Sequence, residues 1–144
     1  QYMKKFILDL TVTENLRLHT NYVLLKLTSQ TVLPEMLPGQ FAEIRIDGSP
    51  TTFLRRPISI CQIDRKNGLL RLVFEVRGAG TQAMADWNAG DMIDLIGPLG
   101  HGFTLLDPDK KAIVVGGGIG TPPMLEVADH YKQNATAIIG FRSA

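Results

Sequence analysis

Residues 54–60 read Leu54-Arg55-Arg56-Pro57-Ile58-Ser59-Ile60, with two guanidinium groups directly before a proline. After the proline, apolar and hydroxyl side chains alternate as they do in a β-strand. Because proline cannot donate a ladder hydrogen bond, Pro57 is expected at the start of a strand or on an edge. Arg56 then stands at the mouth of the strand, where its guanidinium can bind an anion through two parallel hydrogen bonds.

The hydroxyl of Ser59 lies three positions further on and can donate a short hydrogen bond to a ring heteroatom. An arginine for phosphate and a hydroxyl for a ring, on one strand, suit a bound nucleotide cofactor. The alternative is an edge strand whose arginines are simply solvated, because exposed arginines are common. The surrounding sequence decides between these interpretations.

Short segments rich in β-forming residues, separated by turn signals, lie on both sides of this stretch. Residues 13–21 are polar and are expected to form a turn and the start of a strand, and Asn67-Gly68 is a strong hairpin signal. The pattern predicts a mainly β fold, an antiparallel barrel or sandwich of about six strands. The expected strands are residues 6–12, 22–27, 41–46, 54–63, 69–76 and 92–96.

A second glycine-bearing site, Gly78-Ala79-Gly80-Thr81, follows the fifth of these strands. Residues 81–87 are expected to form one short capping helix, with Thr81 as its N-cap and with Met84 and Trp87 facing the core. Backbone amides at a helix N-terminus favour a phosphate, and glycines let it approach closely. Arg56 and Gly80-Thr81 are therefore candidates to clamp one pyrophosphate, the alternative being a plain strand-to-helix turn.

The pattern changes after residue 106. Residues 112–115 are wholly apolar, as in a strand buried on both faces of a parallel sheet, and residues 135–140 are expected to be a second buried strand. Between them lie the loop Gly116-Gly117-Gly118-Ile119-Gly120 and a helix expected to start at Thr121-Pro122-Pro123. This context predicts a dinucleotide-binding loop, although the spacing is not the strict G-x-G-x-x-G and a plain tight connection is the alternative.

These patterns divide the chain into residues 1–106, a barrel domain, and residues 107–144, an incomplete α/β domain. One βαβ unit cannot cover a parallel sheet on both faces. The sequence is therefore expected to be a fragment of a longer protein.

Composition narrows the classes of function. A formal net charge of +1 over 144 residues makes nucleic acid a poor expectation as a partner, and no apolar run approaches the ~20 residues that span a bilayer. Cys61 is the single cysteine, which excludes an internal disulfide framework and fits a reducing cytoplasm. We expect Cys61 to be a buried small apolar residue, the alternative being a position near a cofactor ring.

Catalytic and metal-ligating patterns are missing from the sequence. His19, His101 and His130 are scattered without metal-ligand spacing and are expected on the surface or in loops. No Ser-His-Asp or Cys-His arrangement is present. The sequence therefore predicts neither a metal site nor a catalytic side chain.

Four stretches together resemble the ferredoxin-reductase-like flavoproteins, in which an FAD-binding Greek-key barrel precedes an NAD(P)-binding α/β domain. Arg56-Pro57-Ile58-Ser59 takes the place of that family's motif of an arginine, a variable residue, an aromatic and a serine, with isoleucine where tyrosine is commoner. The set is most similar to the electron-transfer subunits of bacterial dihydroorotate dehydrogenase B. The stretches are residues 54–60, 76–81, 97–103 and 115–123.

The resemblance implies an oxidoreductase subunit of pyrimidine biosynthesis. A catalytic partner subunit carrying FMN would oxidise dihydroorotate, in a heterotetramer, and electrons would cross a [2Fe-2S] cluster to FAD here and leave to NAD+. The cluster needs four thiolates, so it is expected only in a part of the protein that follows this sequence. The NAD site is likewise expected to be incomplete in this chain, which alone would not be catalytically competent.

The resemblance also implies roles for individual residues. Arg56 would bind the pyrophosphate, Ile58 would pack beside the flavin and Ser59 would approach its reactive nitrogen, while Arg55 has no assigned role. The implied cofactor-binding residues are Arg56, Pro57, Ile58 and Ser59; Val73, Phe74 and Glu75, through their backbone; Gly80 and Thr81, at the phosphates; and Gly116, Gly117, Gly118 and Gly120, in the NAD-side loop.

Two other functions stay open on the sequence. One is a subunit of another ferredoxin– or sulfide–NAD(P) oxidoreductase of the same superfamily. The other is a non-catalytic interaction module that binds no cofactor. Whether a flavin is bound separates the second from the first.

Overall fold

Six strands make up the first part of the molecule: β1 (Phe6–His19), β2 (Tyr22–Thr28), β3 (Phe41–Ile44), β4 (Arg56–Asp64), β5 (Leu69–Glu75) and β6 (Met92–Leu99). The structure is a computed structural model that describes residues 4–48 and 50–143. The strands form a closed antiparallel barrel in the order β1-β2-β5-β4-β3-β6. This is a Greek key, because β3, β4 and β5 are consecutive neighbours and β5 lies beside β2. The predicted mainly β barrel is confirmed.

Alternation along each strand places one set of side chains inside the barrel. On β5 the inward residues are Leu70, Leu72 and Phe74, all buried as the pattern predicts. The helix α1 (Ala79–Ala85) closes over this core, with Met84 fully buried. The polar Asn15 of β1 fastens the end of α1, because its Nδ2 donates to the carbonyl oxygens of Met84 at 3.0 Å and Trp87 at 2.9 Å.

Several element boundaries in the barrel differ from the sequence prediction, and the end of β1 and the start of α1 differ most clearly. Residues 13–21 were expected to form a turn and the start of the second strand, yet β1 continues to His19 and pairs with β2, with two register shifts along the pairing. Thr81 was expected to be the N-cap of α1, but the cap is the extended Gly78. The Thr81 hydroxyl reaches back from the third helical position and accepts hydrogen bonds from the backbone nitrogens of Arg77 at 2.8 Å and Gly78 at 3.2 Å.

The second part is a βαβ unit of β7 (Ala112–Gly117), α2 (Leu125–Tyr131) and β8 (Ala135–Gly140), with β7 and β8 paired in parallel. Between β7 and α2 the chain makes two 3₁₀ turns, Gly118–Gly120 and Pro122–Met124. The helix was expected to start at Thr121, but residues 122–124 form a 3₁₀ turn and the α-helix begins only at Leu125.

The expected burial of both parallel strands is wrong in this chain. Val114 of β7 is buried, whereas Ile113 and Val115 on the opposite face are exposed, as are Ile138 and Ile139 of β8. The physical reason is that the described sheet has two strands, and α2 packs on one of its faces only.

The connection between the two parts is fastened to the end of α2. The Tyr131 hydroxyl accepts a hydrogen bond from the Leu106 nitrogen at 2.8 Å, and Asn134 donates to the Pro108 carbonyl oxygen at 2.9 Å. Among the residues described, no helix is long and apolar enough to cross a membrane.

Candidate functional site

Three elements meet at one end of the barrel. Antiparallel pairing of β4 with β5 brings the beginning of β4 beside the end of β5, and three residues separate the end of β5 from the start of α1. Arg56 is the first residue of β4 and Gly80 the second of α1. The fold therefore brings together the two motifs that the sequence proposed as a pyrophosphate clamp.

Arg56 and Gly80 are in direct contact. A Cβ placed on Gly80 would lie 2.7 Å from Arg56 Nε and 3.2 Å from its Cδ, so a side chain there would collide with the arginine. Arg56 Nε is buried and has no hydrogen-bond acceptor among the described residues. A buried donor of a charged group without an acceptor is costly, so the site fits an anionic ligand that supplies one.

The neighbouring Arg55 has a different environment. Its Nη2 lies 2.8 Å from Asp94 Oδ1 on β6, and both side chains are mostly buried. Its Nη1 also donates to the Asp94 carbonyl oxygen at 3.3 Å. Arg55, which the sequence left without a role, therefore joins β6 to the loop before β4.

The remaining residues of the arginine motif lie on two faces of β4. Pro57 and Ser59 are exposed on the outer face, where the Ser59 hydroxyl is available to a ligand. Ile58 is only 8% exposed and packs in the hydrophobic core. Its expected contact with a flavin therefore stays a prediction, to which the buried side chain offers only a small accessible edge.

On β5 the three residues expected to contact the cofactor have different side-chain environments. Phe74 points into the core, Val73 lies on the outer face beneath the βαβ unit, and the Glu75 carboxylate pairs with Arg77 at 2.6 Å. Backbone contacts from this strand stay a prediction. The Thr81 hydroxyl is already used at the start of α1, so its expected contact with a phosphate stays a prediction that would fall to its backbone amide in the first turn.

The glycine loop has one position at which only glycine fits. A Cβ on Gly116 would lie 2.8 Å from Thr121 Cα, so β7 and the turn after the loop are in backbone contact. Gly118 has a φ of +52°, in the left-handed region, whereas Gly117 and Gly120 have open space around them. The turn Gly118–Gly120 packs against β5, so the loop lies over a strand of the predicted cofactor site.

A mostly apolar cavity of about 660 Å³ separates the barrel wall from the βαβ unit. Cys61 and Val73 of the barrel and Thr121 of the βαβ unit are among its lining residues. Cys61 is buried, as expected, and burial followed by the nearby Glu126 carboxylate raises the pKa of its thiol. The thiol therefore stays protonated at neutral pH and is not an activated nucleophile.

Sequence reasoning missed two residues of this region. Tyr22 lines the cavity beside the glycine loop, although nothing around it in the sequence distinguishes it from other strand residues. Glu126 of α2 accepts a hydrogen bond from the Ile63 nitrogen at 2.6 Å. In the sequence, Glu126 is an acidic residue near the start of a helix that has an apolar face. This pattern is equally typical of an acidic residue in solvent, so it did not single out Glu126.

Sequence comparison finds curated relatives, and the two described here share one name. The chain is 39% identical over 140 residues to the dihydroorotate dehydrogenase B (NAD(+)) electron transfer subunit of Fusobacterium nucleatum subsp. nucleatum, covering 94% of this chain and 54% of that protein. It is 37% identical over 124 residues to the subunit of the same name from Geobacillus kaustophilus, covering 83% and 48%. The chain thus spans about half the length of these curated relatives. No family model matches it.

Solved structures share the fold. An NADH-dependent reduced ferredoxin–NADP oxidoreductase superposes with a TM-score of 0.81 at 26% identity, over 94% of this chain and 49% of that one. Phthalate dioxygenase reductase superposes with a TM-score of 0.76 at 21% identity, over 95% and 44%. The second likeness concerns the fold alone.

Proposed function

We propose that the chain binds FAD and passes electrons towards NAD+. Its fold is that of the ferredoxin-reductase-like flavoproteins, and it is related to the electron-transfer subunits of dihydroorotate dehydrogenase B. The observation that carries the proposal is the buried Arg56 Nε, which lacks an acceptor beside Gly80. The pyrophosphate of FAD is an acceptor of the required charge and size. It would lie between the Arg56 guanidinium and the first amides of α1.

This chain's residues would bind and orient the cofactor. Ser59 is exposed on β4 and would donate its hydroxyl to the edge of the ring, with β5 offering backbone groups from Val73, Phe74 and Glu75. Bound FAD supplies both hydride and single-electron chemistry, which amino-acid side chains cannot. The loop of residues 116–120 would admit the phosphates of NAD close to the backbone.

The whole protein's activity is part of the same proposal. Its electrons would come from an FMN-containing subunit that oxidises dihydroorotate, in a heterotetramer serving pyrimidine biosynthesis, through a [2Fe-2S] cluster held outside the present sequence. The names of the relatives, which are electron-transfer subunits of an NAD-dependent dehydrogenase, support this assignment. A cytoplasmic location is included because the single Cys61 provides no disulfide framework.

Titration with FAD tests the proposal on this chain. We expect binding that is visible as a perturbed flavin absorption spectrum, and we expect Arg56→Ala to weaken it at least about tenfold, because a charge-assisted hydrogen bond pair is lost. Lys66→Ala removes the same charge from an exposed hairpin turn and serves as the control. A wild-type chain without affinity for FAD, or an Arg56→Ala variant with full affinity, would contradict the proposal.

A second candidate is a reductase subunit for a different electron donor. The superposition on a ferredoxin–NADP oxidoreductase favours it, since the same fold serves that reaction. Reconstitution separates the two: electron transfer from dihydroorotate with an FMN-containing partner supports the first function, and transfer only with a ferredoxin supports the second.

A further inference from the structure

Strand β4 loses its neighbour on one side part of the way along its length. The described pairing with β3 ends where Phe41 lies opposite Ser59, whereas β4 continues to Asp64 and is paired there with β5. The Ile60 nitrogen still donates to the Gln40 carbonyl oxygen at 3.1 Å, and beyond Ile60 the described part of the chain places no strand beside this edge of β4. Backbone donors on such an edge need another acceptor when the edge is covered.

Glu126 supplies this acceptor from the βαβ unit. Its Oε1 lies 2.6 Å from the Ile63 nitrogen, and both the turn Pro122–Met124 and α2 pack against β4 around this bond. Loss of solvent raises the pKa of Glu126, which the Ile63 hydrogen bond partly opposes. The carboxylate therefore lies in the interface between the two parts of the molecule, not in open solvent.

The Glu126–Ile63 hydrogen bond is connected to the glycine loop, residues 116–120, through packing contacts. Gly116 packs directly on Thr121, so the loop and the turns that lead into α2 form one packed unit. The turn Gly118–Gly120 in turn rests on β5, the neighbour of β4. Fastening α2 to β4 thereby determines how closely the loop approaches the strands to which FAD is assigned.

We propose that Glu126 is a positioning residue that fastens α2 to the free edge of β4. It thereby holds the loop of residues 116–120 over β4 and β5, the strands proposed to bind FAD. The carboxylate touches neither cofactor nor substrate and acts through the Ile63 amide. The functional part rests on the proposed FAD and NAD role, whereas the anchoring is a property of this chain alone.

Cys61 gives a direct readout of the anchor. It is the single cysteine of the chain, is buried, and lines the cavity between the two parts, so its alkylation rate reports how often they separate. We expect Glu126→Ala to raise this rate at least about tenfold, because a hydrogen bond to a charged group is lost. Glu126→Gln should restore the wild-type rate, since its amide oxygen still accepts from Ile63.

The pair of variants separates the hydrogen bond from the charge. Both remove the carboxylate that raises the pKa of Cys61, so a purely electrostatic effect on the thiol would accelerate alkylation equally in both. Asp129→Asn removes a charge from an exposed position of the same helix and should leave the rate unchanged. Equal rates in Glu126→Ala and Glu126→Gln, whether raised or unchanged, would overturn the proposal.

Two further measurements cover the other cases. Should Glu126→Ala fail to fold, amide hydrogen exchange of Ile63 in the wild-type chain decides: protection supports the anchor and free exchange overturns it. In the FAD-loaded chain, Glu126→Ala should leave FAD affinity unchanged but let iodide quench the flavin more strongly, and unchanged quenching would overturn the positioning role. Failure of the wild type to bind FAD contradicts the proposed function, and the alkylation rates then still judge the anchor.

Discussion

The barrel and the βαβ unit both contain strands rich in apolar residues, yet they bury them very differently. Leu72 in the middle of β5 is 0% exposed, whereas Ile138 in the middle of β8 is 56% exposed. The barrel closes on itself and gives every strand a neighbour on both sides along at least part of its length, while the parallel sheet in the described part of the chain has two strands and a helix on one face. Burial of an apolar strand therefore depends on its neighbours more than on its own composition.

The largest expected effect is a loss of stability in the barrel core. Leu72→Ala should lower the free energy of unfolding by about 2–5 kcal/mol, because it leaves a cavity in a closed core. Ile138→Ala removes a side chain of the same size from an exposed strand and should cost about 0.5 kcal/mol. Urea denaturation of both variants measures the difference. Similar losses for the two would show that β8 is packed in solution.

A smaller effect compares two of the glycines at which a Cβ would meet a neighbour closely, Gly116 and Gly80. Gly116→Ala sets a Cβ against the backbone of Thr121 and should cost about 1–3 kcal/mol, because backbone must move. Gly80→Ala meets only the side chain of Arg56, so its stability should stay near wild type while FAD binding weakens as the guanidinium is displaced. Thermal unfolding and FAD titration distinguish them, with Gly117→Ala, which meets nothing within 4 Å, as the control.

Local patterns explain which parts of this fold were predictable. Alternation in β5 and the turn signals between strands depend on neighbouring residues only, so the barrel followed from the sequence. The continuation of β1 through residues 13–19 did not, because long-range pairing with β2 overrides the turn preference of a polar segment. The exposure of Ile113 and Ile138 was missed because it depends on how many strands join the sheet.

The candidate site shows the same division. Arg56 and Gly80 were predicted together because each belongs to a motif with a phosphate-binding rationale, and the structure places them in contact. The role of Arg55 depends on Asp94 of a strand distant in sequence. Glu126 was not identifiable, since its partner is a backbone amide on another element and a backbone amide has no sequence signature.

The smallest expected effect concerns how pH changes the contact between the two regions. Desolvation raises the pKa of Glu126 above its usual value, the Ile63 hydrogen bond opposes this rise, and the Asp129 carboxylate adds to it. Cys61 lies near Glu126, and Arg71 lies near Cys61. A raised carboxyl pKa adds stability below the unfolded pKa and loses it as pH rises through the folded pKa. Glu126→Gln stays neutral throughout, so its free energy of unfolding minus that of the wild type should increase as pH rises through this range. Urea denaturation between about pH 4 and 7, an interval that includes the ordinary carboxyl pKa values, measures this difference. A difference that shrinks with rising pH would mean that the carboxylate is stabilised, not desolvated, at the edge of β4.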